Sequence, residues 1–100
     1  MKGHFLARSA QRDIDGNWEH IAADNERMAD RFVGALCGKF NKLADSPYLG
    51  ASCDHYGPGF RYFPFRNYVI YYRLFDKRVQ ILRVLHGAQD HDAEFGVSGQ

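Results

Sequence analysis

The sequence predicts an α+β domain in which a short N-terminal strand and an antiparallel helix hairpin precede a three-stranded antiparallel meander. Three observations predict it. Apolar residues recur at helical spacing from Ile14 to Leu43, and aromatic and β-branched residues fill extended runs from Phe60 to Leu85. A stretch rich in glycine and proline separates the two. The 100 residues make a single domain, with a core over about 4–90 and a tail over 91–100.

His4-Phe5-Leu6-Ala7-Arg8 is short and extended, the first strand. Ser9 offers a helix N-cap, because its hydroxyl can accept from an unpaired backbone N–H of the first turn. Ile14, Trp18, Ile21 and Ala22 form the apolar stripe of that helix, with Asp13, Asp15 and Glu19 mostly off it. Asp24-Asn25 is the junction: either side chain can cap a second helix, and Glu26 then falls where negative charge is favoured. Met28, Phe32, Leu36, Phe40 and Leu43 follow down one face, broadened by Ala29, Val33, Ala35 and Cys37. Cys37 reads as core packing rather than a nucleophile. The helix stops before Pro47, whose ring drives Ser46 out of the α region.

Tyr48 to Gly59 reads as loop. Phe60 to Phe65 is extended, and Pro64 places it at a sheet edge or a strand end. Arg66-Asn67 forms a tight turn into Tyr68–Phe75, and Asp76-Lys77 joins that strand to Val79–Leu85. Two registers are open. A two-residue loop pairs Phe75 with Arg78 and sets Leu85 and Arg83 on the face of Val79 and Ile81, whereas a three-residue loop brings Arg73 and Arg83 to one face. The tail has Phe95 as its only large apolar residue and is either a docking segment or disordered.

No apolar run is long enough to span a bilayer, no signal-peptide core follows Met1, and Cys37 and Cys53 read as reduced thiols, so a cytoplasmic protein is expected. The net charge of +1 is unevenly spread. Arg61, Arg66, Arg73, Lys77, Arg78 and Arg83 face only Asp76 between Phe60 and His86, whereas Asp90, Asp92 and Glu94 make the tail acidic. Such a basic segment suits an acidic partner, either nucleic acid or protein; a solvated sheet face is the plain alternative. Cys53-Asp54-His55 and the His86/Asp90/His91/Asp92 group lack structural zinc spacing, so no metal or other cofactor is expected.

The strands Tyr68-Val69-Ile70-Tyr71-Tyr72-Arg73 and Ile81-Leu82-Arg83-Val84-Leu85-His86-Gly87, followed by Asp90, resemble the ParE/RelE toxin superfamily of type II toxin–antitoxin systems. Ala10, Asp13, Ile14 and Trp18 in the first helix, and Gly59-Phe60-Arg61 before the second strand, extend the resemblance over about Phe5 to Asp90. The family holds two activities on one fold, so fold alone does not decide function. RelE-like members cleave messenger RNA on the ribosome, and ParE-like, plasmid-stabilising members poison DNA gyrase without a recognised catalytic site. RelE-like toxins tend to carry an arginine early in the third strand and cations near the C-terminus. Here Val69 and an acidic tail stand instead, which favours the ParE side.

The resemblance therefore implies a gyrase inhibitor neutralised by a ParD-like antitoxin in a toxin–antitoxin hetero-oligomer, with no sequence-specific DNA binding by the toxin itself. The target-binding candidates are Arg61, Arg66, Arg73, Arg83 and His86, each with a solvated or internal ion pair as its plain alternative. If the chain is instead an mRNA endoribonuclease, Arg66, Arg73, Arg83 and His86 are its catalytic candidates. His86 has a pKa suited to acid–base work, but a strand-end histidine bonded to the following turn is the simpler reading. A third possibility is an inactive toxin-like module serving only in repressor assembly.

Overall fold

The computed structural model describes residues 3–97. The chain runs β1 (His4–Leu6), α1 (Arg8–Ala22), α2 (Glu26–Asp45), β2 (Ala51–Ser52), β3 (Arg61–Phe65), β4 (Tyr68–Phe75), β5 (Arg78–His86) and α3 (His91–Glu94). The expected meander is present as β3, β4 and β5. It is the centre of a larger, mixed sheet of order β1-β5-β4-β3-β2, in which β1 runs parallel to β5. The α1–α2 hairpin covers one face, as an α+β domain requires.

Local signals set the hairpin. Asn25 caps α2, its side-chain oxygen accepting from Met28 N at 3.1 Å, and the helix ends at Asp45 before Pro47. Phe32, Leu36, Phe40 and Leu43 are buried against Ile70, Tyr72, Val79 and Ile81. Met28 and Cys37 depart from the predicted stripe: Met28 is 52% exposed and Cys37 is also exposed. Met28 lies in the first turn, next to the capped end, and Cys37 sits on the rim of a stripe wider than the sheet can cover.

Ser9 does not cap α1. The strand passes directly into the helix with Ala7 at the cap position, and the Ser9 hydroxyl donates to Leu82 O at 2.8 Å instead. That bond belongs to a larger pattern. β1 pairs with β5 only as far as Ile81, and beyond it the strand would present unpaired backbone groups. Ser9, Asp13 and Asn17 stand four residues apart on α1 and take over. Asp13 accepts from Val84 N at 2.9 Å, and the Asn17 amide donates to Val84 O at 3.5 Å. A helix face thus closes the strand edge.

The β4–β5 loop has two residues, Asp76 and Lys77, both with positive φ (52° and 65°), and pairs Phe75 with Arg78. Positive φ at both central positions gives the turn the twist that a two-residue hairpin needs. A bulge opposite Tyr71/Tyr72 then inserts Leu82 as the extra residue. It corrects the faces expected for Leu85 and Arg83, which leave that of Val79 and Ile81: Leu85 packs with Tyr71 and Cys53 on the second face, where Arg83 stands opposite Tyr71. There Phe60, Tyr56 and Phe95 cover it, so the tail docks through Phe95. Residues 98–100 lie outside the described residues.

The predicted loop before β3 is pinned by Tyr72, which is fully buried; its hydroxyl donates to Pro47 O at 2.7 Å and accepts from Gly50 N at 2.8 Å. A Cβ on Gly50 would lie 2.5 Å from Tyr62 O and 2.6 Å from the Tyr72 hydroxyl oxygen. Gly50→Ala is therefore expected to destabilise the fold by about 1–3 kcal/mol in urea unfolding. Asp13→Ala, which strips a partner from both Arg83 and the Val84 N–H, is expected to cost about 2–3 kcal/mol by the same assay. Asp15→Ala on the exposed side of the same helix should stay within about 0.5 kcal/mol.

Candidate target-binding surface

The five candidate side chains fall into two groups. Arg61 and Arg83 are committed inside the fold. The Arg61 guanidinium donates twice to Gly50 O, at 3.0 Å from Nε and 2.6 Å from Nη2, and lies over the Tyr48 ring. It holds the same loop residue, Gly50, that its cross-strand partner Tyr72 holds. Arg83 grips the Asp13 carboxylate with Nε at 2.7 Å and Nη2 at 2.9 Å, and Nη2 also reaches Glu94 at 2.9 Å. The two side chains of the Arg83–Asp13 pair are only 17% and 13% exposed. Asp13, and then Glu94, raise the already high pKa of the guanidinium against the opposing effect of burial.

Arg66, Arg73 and His86 lie outside that framework. Arg66 occupies the β3–β4 turn with φ of +56°, is exposed, and its guanidinium lies over Phe65. His86 ends β5, where its Nδ1 accepts from Ala88 N at 3.0 Å and its ring meets Tyr68 edge-on at 5.0 Å. Arg66, Tyr68, His86 and Ala88 line one shallow recess of about 380 Å³. Arg73 is elsewhere, on the second face of β4, where Nε donates to Gln80 Oε1 at 2.8 Å and the guanidinium lies 4.8 Å from the Phe75 ring centre. The fold brings Arg66 and His86 together and separates both from Arg73.

Sequence reasoning missed a polar layer under the tail. His91 spans Tyr71 and the end of β5: its Nδ1 is 2.6 Å from the Tyr71 hydroxyl and its Nε2 2.9 Å from His86 O. Because His86 O can only accept, Nε2 carries the hydrogen, and a neutral ring then accepts from Tyr71 at Nδ1. Tyr56 donates to Asp92, which pushes its phenol pKa up, and Asp90 caps α3. Burial, together with Cys53 and Asp92, pushes the Tyr71 phenol up to about 12. Burial also raises the Cys53 thiol, so it is held in its unreactive form. Among the described residues, no group of three or more His, Cys, Asp or Glu side chains is placed to hold a metal ion. No described helix is long and apolar enough to cross a membrane.

Residues 5–91 match the model of the ParE toxin of the type II toxin–antitoxin system parDE. The chain belongs to the ParE toxin family. Toxin ParE1 of Caulobacter vibrioides is 30% identical over 98 residues, covering 96% of this chain and all of that relative. Toxin ParE3 of the same organism is 28% identical over 90 residues, covering 89% of this chain and 90% of the relative. Among solved structures, the chromosomal ParDE toxin–antitoxin system from P. aeruginosa superposes with a TM-score of 0.72 at 22% identity, over 86% of this chain and 96% of that one. The RelBE2 toxin–antitoxin complex from Mycobacterium tuberculosis gives 0.58 at 23% identity, over 85% and 96%. At those identities the two structures establish the shared fold, which spans both the ParE and RelE branches.

The Tyr71 shift has a measurable consequence for this ParE-family chain. Its phenol ionises at about 12 in the fold against 10.0 when free, so the native state holds the proton longer than the unfolded one. Stability from this group is full below pH 10 and is lost as pH rises towards 12. Urea midpoints taken from pH 9 upward should fall across that window. Tyr71→Phe should flatten part of the fall, leaving the shares due to Tyr56, Tyr68 and Cys53.

Proposed function

We propose that the protein is a stoichiometric inhibitor of DNA gyrase, acting in the cytoplasm and held in check by a ParD-like antitoxin in a hetero-oligomeric complex. Family membership supports the toxin class, and the match to a ParDE system supports the partner type. The observation that carries the choice of target is the commitment of Arg83 to Asp13 and Glu94. Metal-free RNA cleavage needs cations and an acid–base pair converging on one phosphate. With Arg83 bound inside the fold and Arg73 away from the recess, only Arg66 and His86 of the four ribonuclease candidates come together. A poison requires no such cluster. It needs higher affinity for the cleaved-DNA state of its target than for the others.

One observation favours the ribonuclease alternative: Arg66 and His86 share a recess with Tyr68. Purified protein incubated with gyrase, supercoiled DNA and ATP is expected to accumulate cleaved DNA, and Arg66→Ala with His86→Ala to weaken this about tenfold or less. Ribosome-bound mRNA should remain intact in parallel assays. Cleavage of that mRNA, abolished by His86→Ala, would transfer the protein to the RelE activity. Expression without growth arrest would instead leave a module that serves only in repressor assembly.

A further inference from the structure

The second face of the sheet is divided. Its inner half, around Tyr71 and Leu85, is covered by Phe60, Tyr56 and Phe95. Its outer half, toward the β4–β5 turn, carries an arginine–phenylalanine ladder across three neighbouring strands. Register puts Phe5, Gln80 and Arg73 side by side, with Phe75 opposite Arg78 one pleat further out. Arg78 lies 4.3 Å from the Phe5 ring centre and Arg73 4.8 Å from that of Phe75, and the two rings are 6.1 Å apart. Phe75 is 48% exposed. Among the described residues the ion pairs are those of Arg83, so the half-buried Arg73 and the exposed Arg78 have no carboxylate partner there. Lys77 adds a further cation in the turn and Asp76 the one acid.

We infer that this ladder is a binding surface for a few nucleotides of single-stranded nucleic acid. Flat rings presented on a sheet take unstacked bases, guanidinium planes stack in the same way, and the arginine charge meets the phosphates. A run of acidic residues would satisfy the arginines but offers no flat ring to lie on the exposed Phe75. The inference is independent of the gyrase reading, because it concerns the chain and the nucleic acid alone.

The test uses the purified full-length chain and fluorescein-labelled dodecamers of oligothymidylate and oligouridylate, with binding followed by anisotropy. Binding of at least one is expected, weakening steeply as salt rises, and a duplex of the same length should bind more weakly because its bases are already stacked. Phe75→Leu, which keeps apolar bulk but removes the ring, should weaken binding about tenfold, as should Arg73→Gln combined with Arg78→Gln. Arg27→Gln with Arg31→Gln, exposed on α2 away from the ladder, should leave it unchanged. Circular dichroism of each variant separates lost binding from lost fold. Three results would overturn the inference: no binding of either oligonucleotide, undiminished binding by folded Phe75→Leu, or poly-glutamate bound in preference to both.

Discussion

The Asp13 carboxylate is the contact on which the remaining architecture depends. It accepts from two nitrogens of Arg83 and from the backbone N–H of Val84, three bonds between 2.7 and 2.9 Å. β1 has three residues and cannot pair with the whole of β5, so α1 must complete the edge. A helix can do this only with side chains, because its own backbone groups are already bonded to each other. Ser9, Asp13 and Asn17 share one face at four-residue spacing, which fixes how α1 lies along the sheet. The α2 stripe then has one place to pack. Through Glu94 the same guanidinium also ties down α3 on the opposite face.

The bulge makes that contact possible. Without the extra Leu82, strict alternation would put Arg83 on the helix-covered face together with Val79 and Ile81. With it, Val84 takes the helix-covered face, Leu85 turns to the second face, and Arg83 reaches around the edge to Asp13. A single inserted residue therefore separates the apolar requirements of two faces and frees one arginine for a structural role.

Features set by near neighbours were legible in the sequence: the α2 stripe at Phe32, Leu36, Phe40 and Leu43, a cap within Asp24-Asn25, the stop before Pro47 and the Arg66-Asn67 turn. Each depends on residues within about one or two helical turns or one hairpin. Features set at a distance were not. Ser9 has the chemistry of a cap, but its acceptor is 73 residues away; the Asp13–Arg83 pair is 70 apart. The same limit governed the candidate surface. A run of arginines gives the size of the local charge but not its partners, and only the three-dimensional neighbours divide Arg61 and Arg83 from Arg66 and Arg73. The pairing of Arg78 with Phe5 needed the parallel β1–β5 register, which no local pattern encodes.

Strongly perturbed titration often marks catalytic groups, yet structural networks perturb it too. In this chain the shifts run towards inertness. Tyr71 and Tyr56 are held as neutral phenols, Cys53 as a neutral thiol, and Arg83 as a fixed cation. An acid–base catalyst needs the reverse, groups brought nearer to the operating pH so that both protonation states are accessible. The shifted side chains instead lock the tail and α1 to the sheet, while Arg66 and Arg73 remain on the surface outside that network. That division suits a protein whose effect comes from rigid presentation of a surface, since an ordered scaffold spends less of its binding energy on ordering itself when it meets a partner.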